Sequence, residues 1–439
     1  MKRMGDVSVR SGRAGRWRGG VLSLLLICMA CAGCRPSGDR REAIADSVAA
    51  ADSLALLREV TDITADAEAY ADSVLATLTD EQRAGMLFMP AIYARGDAAT
   101  MRKLMEYAAS MRVGGVVLLK GDLQGTAMIS DTLRTLSGPG LFIAVDAENG
   151  LRMRFADAPE FPWSRDLGRL SDDQLLYEFG REIARECRAV GINMVLGPVM
   201  DIVPGEVSHG LMRKRSLGSD PKRVADLAIA YARGVEEGNV ISVAKHFPGH
   251  GSASADSHRA LGEIRATREV IDSVDLYPFR RYAAEGLSGV MVGHLSVDAL
   301  DSVRRPAVVS PAVMQDVLRE RIGFQGLVIT DALNMEGAMG VKAWQAVAAG
   351  ADMVIAPTDT RAEIAAMLRA LDEGTLERAT VDDRCRRILF YKYLVGLDRQ
   401  QRLADIREAV AEVGTGAPAV RDSITNALRR HMSRSPQPR

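Results

Sequence analysis

Cysteine and histidine are scarce in this 439-residue chain, with five of one and six of the other, and aromatic residues make up only 5% of it. Lysine and arginine (56) nearly cancel aspartate and glutamate (57), so no excess of one sign points to nucleic acid. Three of the five cysteines, Cys28, Cys31 and Cys34, fall within the first 34 residues. The other two, Cys187 and Cys385, each lie inside an amphipathic helical pattern. A disulfide framework is therefore excluded, and the pair is read as packed thiols. There is no Gly-x-Ser-x-Gly segment, which removes the nucleophile-elbow arrangement of serine hydrolases. No apolar run reaches the length of a permanent membrane span.

The longest such run, Val21–Ala30, follows a stretch in which residues 1–33 carry six Lys/Arg against one Asp. That is the layout of a secretory signal peptide. It ends Cys31-Ala-Gly-Cys34, which resembles a bacterial lipobox and makes Cys34 the expected lipid-bearing residue, with an unlipidated secretory signal as the alternative. Removing +5 of charge with the signal takes the formal balance from −1 to −6. The expected location is the cell envelope, anchored to a bilayer through Cys34 at the periplasmic face or the cell surface. Residues 34–76, rich in Ala, Asp and Ser, are read as a polar helical spacer that supports no core. Thr79-Asp-Glu-Gln82 then has the form of a capping box that opens a short helix.

Beyond it, apolar strand-like runs alternate with helical segments at Met86–Met89, Gly115–Leu119, Leu141–Asp146, Asn193–Asp201, Ile241–Lys245, Gly289–His294, Leu327–Asp331 and Asp352–Ala356. Eight such units predict an α/β chain with a parallel sheet covered by helices, a (β/α)8 TIM-like barrel forming one catalytic domain. A doubly wound open sheet is the alternative. Several runs end in a polar residue, namely Asp146, Asp201, Lys245 with His246, His294 and Asp331. The C-terminal ends of barrel strands converge on one face, so these groups are expected to share a pocket.

The stretch Lys245-His-Phe-Pro-Gly-His-Gly-Ser-Ala-Ser-Ala-Asp-Ser-His258 holds three of the six histidines. Pro248, Gly249 and Gly251 make it a loop, so His246 and His250 lack the helical geometry that their spacing would need to bind a metal. Asp256-Ser257-His258 is too tightly spaced to stack as a hydrolase triad. The loop resembles the Lys-His-Phe-Pro-Gly-His-Gly…Asp-Ser-His signature of bacterial family-three glycoside hydrolases of the β-N-acetylglucosaminidase type.

That resemblance extends over residues 75–398 and implies roles for individual residues. Leu327-Val-Ile-Thr-Asp331 resembles the family's strand-seven motif, which makes Asp331 the expected nucleophile. Asp256 and His258 match a histidine acid/base and its Asp partner on a loop of small residues. Asp146 and Arg154 match sugar-binding positions in the strand-three motif, where Asn149 and Leu151 replace a Gly and an Arg. Arg215 falls on the Arg-Ser-Phe-Gly segment, with Leu217 for Phe, and is expected to bind substrate. Lys245 and His246 match the pair that holds sugar hydroxyls. Gly197–Asp201 and Gly293-His294 fall on family segments with supporting roles. No metal and no cofactor is implied.

The resulting expectation is an exo-acting, retaining β-N-acetylhexosaminidase that cleaves N-acetylglucosamine-containing glycans or muropeptides from peptidoglycan, as a monomer. Exo action rests on a single barrel with a loop folded over its mouth. The alternatives are a phosphorylase using phosphate as acceptor and a non-catalytic lipoprotein that binds cell-wall sugars. Residues 77–398 are assigned to the barrel. Residues 399–439 are read as one or two extra helices with a Gly-Thr-Gly-Ala-Pro break and a disordered tail.

Overall fold

The computed structural model describes residues 61–136, 138–203, 212–251, 253, 261–338, 340–399 and 403–434. Eleven strands are seen among them: β1 (Phe88–Met89), β2 (Ala91–Tyr93), β3 (Gly115–Leu119), β4 (Phe142–Val145), β5 (Met194–Val195), β6 (Ile241–Phe247), β7 (Gly262–Ile264), β8 (Gly289–Val292), β9 (Leu295–Val297), β10 (Leu327–Thr330) and β11 (Val354–Ile355). The chief helices are α1 (Asp80–Met86), α2 (Leu123–Leu133), α3 (Asp173–Ala189), α4 (Pro221–Glu237), α5 (Leu276–Ala284), α6 (Arg378–Leu394), α7 (Ile406–Glu412) and α8 (Ala417–Arg434).

The predicted capping box is formed: Gln82 N–H donates to Thr79 Oγ1, and Thr79 N–H donates to Gln82 Oε1 at 2.9 Å. Helix α1 therefore runs to Met86, and the first strand starts two residues later than expected. Pro90, with no N–H to give a ladder, divides that strand into β1 and β2. Its carbonyl still accepts from Val117 N–H at 3.0 Å.

Seven strands form one parallel sheet in the order β2-β3-β4-β5-β6-β8-β10, and β1 pairs in parallel with β11. Closure comes from a parallel bridge between Ile329 and Met353, and from Gly114 N–H donating to the Phe88 carbonyl at 3.1 Å. The two halves of the first strand thus occupy one position, and the sheet curls into the expected ring of eight, all parallel. Val, Ile, Leu, Met and Phe side chains from these strands are buried in the core. Where strands were expected to run to their polar ends, most stop a residue or more short: β4 ends before Asp146, β8 before Gly293-His294 and β10 before Asp331. The expected strand Asn193–Asp201 is regular only at Met194–Val195. Its continuation still runs beside β6, with Lys245 N–H donating to the Pro198 carbonyl and Met200 N–H to the Lys245 carbonyl. A two-stranded parallel pair, β7 with β9, lies outside the ring and was not anticipated.

Helices α3 and α4 pack unusually closely because glycines face backbone. A Cβ on Gly180 would stand 2.1 Å from the Tyr231 carbonyl oxygen, and one on Gly234 would stand 2.1 Å from that of Tyr177. The approach places the Tyr231 hydroxyl where it donates to the Ala147 carbonyl at 2.9 Å, which ties α4 to the turn leaving β4.

Two flanking regions differ from expectation or extend it. Of the segment read as a polar spacer, residues 61–75 are helical and dock on the barrel. Ala67, Ala71 and Leu75 are buried, Tyr70 stacks on Tyr393 with ring centroids 5.4 Å apart, and Asp72 pairs with Arg386 at 2.7 Å. Sparse alanines on one face sufficed, because α6 lies against them. After the barrel, α7 and α8 form the anticipated helical extension, and Ala417 and Ile424 join the core. Cys187 and Cys385 are buried and free, as packed thiols should be. Cys34 lies outside the described residues.

Candidate active site

Four of the sequence-predicted residues meet in one ion-pair network at the C-terminal rim of the ring. Lys245, near the end of β6 and 2% exposed, donates from Nζ to Asp146 Oδ1 at 2.7 Å, and the same nitrogen is 2.7 Å from Glu148 Oε1. Arg154 closes on the other Asp146 oxygen. Arg215 forks onto Glu148, with Nη2 to Oε1 at 2.7 Å and Nε to Oε2 at 2.9 Å. Cations and carboxylates alternate, so each buried charge is answered at close range.

The electrostatics follow. Burial alone would raise the pKa of Asp146, but the Lys245 and Arg154 charges reverse this and hold it well below the ordinary carboxylate range. Glu148 is likewise raised by burial, yet Arg215 and Lys245 pull it down to about 2. Both carboxylates are ionised at neutral pH. The cluster can accept hydrogen bonds from sugar hydroxyls through carboxylate lone pairs and donate through the guanidinium and ammonium groups.

His246 joins this network to a second one. Its Nδ1 donates to Asp201 Oδ2 at 2.7 Å, which leaves Nε2 as an acceptor for Arg215 Nη2 at 3.3 Å. Asp201 is fully buried. Its other oxygen accepts from the backbone N–H of His246 at 3.2 Å and of His250 at 2.6 Å. Burial opposes its ionisation, and the His246 contact nevertheless brings its pKa down to about 2. Asp201 thereby fixes both the ring of His246 and the start of the loop that follows β6.

Asp331 stands one residue beyond β10. Its N–H donates to the Val292 carbonyl at 2.8 Å, and its Oδ1 accepts from Ala332 N–H at 2.8 Å. His294 braces the same spot by donating from Nε2 to the Ala332 carbonyl at 2.9 Å. Burial works against the charged form, but His246, His294, the Ala332 N–H and Lys245 together lower the pKa. Asp331 is thus an ionised, half-buried carboxylate held at a strand end, in the field of the same groups that build the network. Such a group can attack an electrophilic carbon or stabilise developing positive charge.

Asp146, Arg154, Arg215, Lys245 and His246 are thus joined by direct contacts through Glu148, and Asp331 lies within electrostatic reach of His246 and Lys245. Asp256 and His258 lie outside the described residues. The two departures in the strand-three segment are accommodated: Leu151 packs in the core, and Gly150, at φ +100°, still makes the turn next to buried Asn149. Sequence reasoning gave no role to Glu148, which here holds both Arg215 and Lys245. Its signal was its place two residues beyond Asp146 at the end of an apolar run.

The chain is similar to several known proteins. The Beta-hexosaminidase of Chromobacterium violaceum is 37% identical over 274 residues, covering 59% of this chain and 75% of that protein. That of Nitrosospira multiformis is 35% identical over 258 residues, covering 55% and 73%. Among solved structures, a glycoside hydrolase family 3 beta-N-acetylglucosaminidase from a Paenibacillus species superposes with a TM-score of 0.70 at 29% identity, over 81% of this chain and 68% of that one. A beta-glucoside phosphorylase, at 22% identity with a TM-score of 0.74 over 83% of this chain and 66% of its own, shares the fold. With residues 79–390 matching the Glycosyl hydrolase family 3 N terminal domain, this chain belongs to glycosyl hydrolase family 3 and is a glycoside hydrolase.

Proposed function

We propose that the protein is an exo-acting, retaining β-N-acetylhexosaminidase that releases terminal N-acetylglucosamine from peptidoglycan fragments. The observation that carries this reading is the ionised Asp331, presented at a strand end in the field of a paired cluster of carboxylates and cations. In a retaining mechanism Asp331 attacks the anomeric carbon as the leaving group departs, and water then hydrolyses the glycosyl-enzyme. Proton transfer to the leaving oxygen is assigned to His258 supported by Asp256, on the strength of the Asp-Ser-His motif. Asp146 with Arg154, and Lys245 with His246, would hold the sugar hydroxyls. The names of the two Beta-hexosaminidase relatives and of the Paenibacillus enzyme support an N-acetylated substrate.

Aryl β-glycosides that differ only at C2 test the assignment. The N-acetylglucosaminide should turn over fastest, and good glucoside hydrolysis with no N-acetylglucosaminide turnover would overturn it. Phosphorolysis is the second reading, because a deprotonated imidazole, unlike a carboxylate, does not repel an incoming phosphate anion. NMR of products formed in phosphate buffer would reveal the glycosyl phosphate. We also propose that Cys34 carries a lipid that anchors the enzyme in the cell envelope. Continued membrane association of Cys34→Ala without detergent would refute that.

A further inference from the structure

The opposite end of the barrel contains a cavity of about 290 Å3. Its walls come from residues that precede β1, β3 and β4, among them Met86, Val113 and Leu141, so it opens at the N-terminal end of the strands, away from the catalytic rim. The volume is at the lower edge of the range for small-molecule sites, roughly 300–1,000 Å3. Apolar side chains dominate the lining, including Val74 from the docked helical segment 61–75 and Leu136 beyond α2. Among the described residues two cations line it, Arg112 and Lys392, and no carboxylate does.

Lys392 is the anomaly. It lies in the last turn of α6, is 1% exposed and lines the cavity. Its side chain makes no hydrogen bond or ion pair among the described residues, although its carbonyl accepts from Leu397 N–H at 2.8 Å. Nζ lies over the face of Phe142, 5.5 Å from the ring centroid, and within electrostatic reach of the buried Cys385 thiol. Burial pulls its pKa down to about 7, which is what a lysine without a counter-ion does. A lone buried ammonium at the wall of an apolar cavity is costly, and a bound anion would supply the missing charge.

We infer that this cavity is a second ligand site, which takes a medium-chain aliphatic carboxylate with its carboxylate on Lys392 and its tail among Val74, Val113, Leu136 and Leu141. The site is independent of the glycosidase reading, because it shares no residue with the rim.

Titration calorimetry of the full chain with octanoate, octanamide and acetate tests the inference. Octanoate should bind one per chain. The neutral isostere and the tail-less acetate should each bind at least tenfold more weakly, and Lys392→Met should lower octanoate affinity by the same factor. A measurement on the unaltered protein guards against misfolding of that variant: acylation of lysines by a succinimidyl ester, read by peptide mass spectrometry. Saturating octanoate should reduce labelling at Lys392 at least fivefold and leave the other lysines unchanged. Equal affinities for octanoate and octanamide, no octanoate binding at millimolar concentration, or unprotected Lys392 would each overturn the proposal.

Discussion

The carboxylate of Asp201 lies 2.7 Å from Nδ1 of His246, and this contact sets which imidazole nitrogen remains an acceptor at the rim. Asp201 is not at the reacting centre; it positions His246 and, through the His250 N–H, the start of the following loop. In Asp201→Asn the side-chain amide can donate where the carboxylate only accepted, which favours the wrong tautomer. We expect kcat/KM to fall about 100-fold, the scale of a small misplacement in an active site. The fold should be retained, and the pH–rate profile should change shape. An unchanged profile with a uniform loss of stability would reduce Asp201 to a structural role.

Asp331→Asn removes the charge and the nucleophilic oxygen while keeping the Ala332 N–H contact available. Turnover on an aryl N-acetylglucosaminide should drop by at least ~1,000-fold with far-ultraviolet circular dichroism unchanged. A variant that keeps a tenth of wild-type kcat would place the nucleophile elsewhere.

Most of this arrangement was legible because it depends on short, local signals. Apolar runs ending in Asp146, Lys245 and Asp331 mark strands and rim at once. What stayed hidden depends on contacts between distant segments. Glu148 acquires its role only when Arg215, 67 residues away, folds over it. The helical segment 61–75 looks too polar to pack until Tyr393 and Arg386 meet it from the far end of the chain. The divided first strand was readable in principle, since Pro90 interrupts the ladder. Pattern alone did not reveal that both halves occupy one barrel position.

Acid should unfold the protein through the rim. Glu148 and Asp201 have pKa values of about 2 in the folded state, against ordinary values of 4.5 and 3.8. Their stabilisation is fully present above those ordinary values and is lost as pH falls toward 2, because the unfolded chain takes up the protons first. For Glu148 alone this is worth ~3 kcal/mol. Urea unfolding between pH 5 and pH 2.5 should show stability declining by several kcal/mol, with proton uptake on unfolding. A flat profile would mean that the network does not hold these carboxylates as described.

Glu186 presents the opposite case. It is fully buried on α3, and among the described residues neither carboxylate oxygen has a hydrogen-bond partner. Burial, helped by Glu182, pushes its pKa up to about 8, so it is mostly neutral at pH 7 in the folded protein and ionised when unfolded. The resulting penalty grows as pH rises from 4.5 toward 8. Glu186→Gln should therefore stabilise the protein at pH 7 by roughly 1–3 kcal/mol, with little effect at pH 4. Equal stabilisation at both pH values would locate the gain in packing instead.

The loop that leads toward Asp256 and His258 is anchored by two glycines that tolerate no side chain. A Cβ on Gly249, at φ +129°, would stand 2.7 Å from the Asp275 side chain, and one on Gly251 would stand 1.6 Å from the Ile202 carbonyl oxygen. The second contact is with backbone, so it cannot be relieved by a rotamer change, and Gly251→Ala must push the loop away from its anchor. Lys245 and His246 lie earlier, on β6, and Asp146, Glu148, Arg154 and Arg215 come from other segments, so the rim network should persist. Substrate affinity should accordingly change little, while kcat on poor leaving groups falls at least tenfold more than kcat on activated aryl glycosides, which need less protonation of the departing oxygen. Equal losses on both substrate classes would separate this loop from proton transfer.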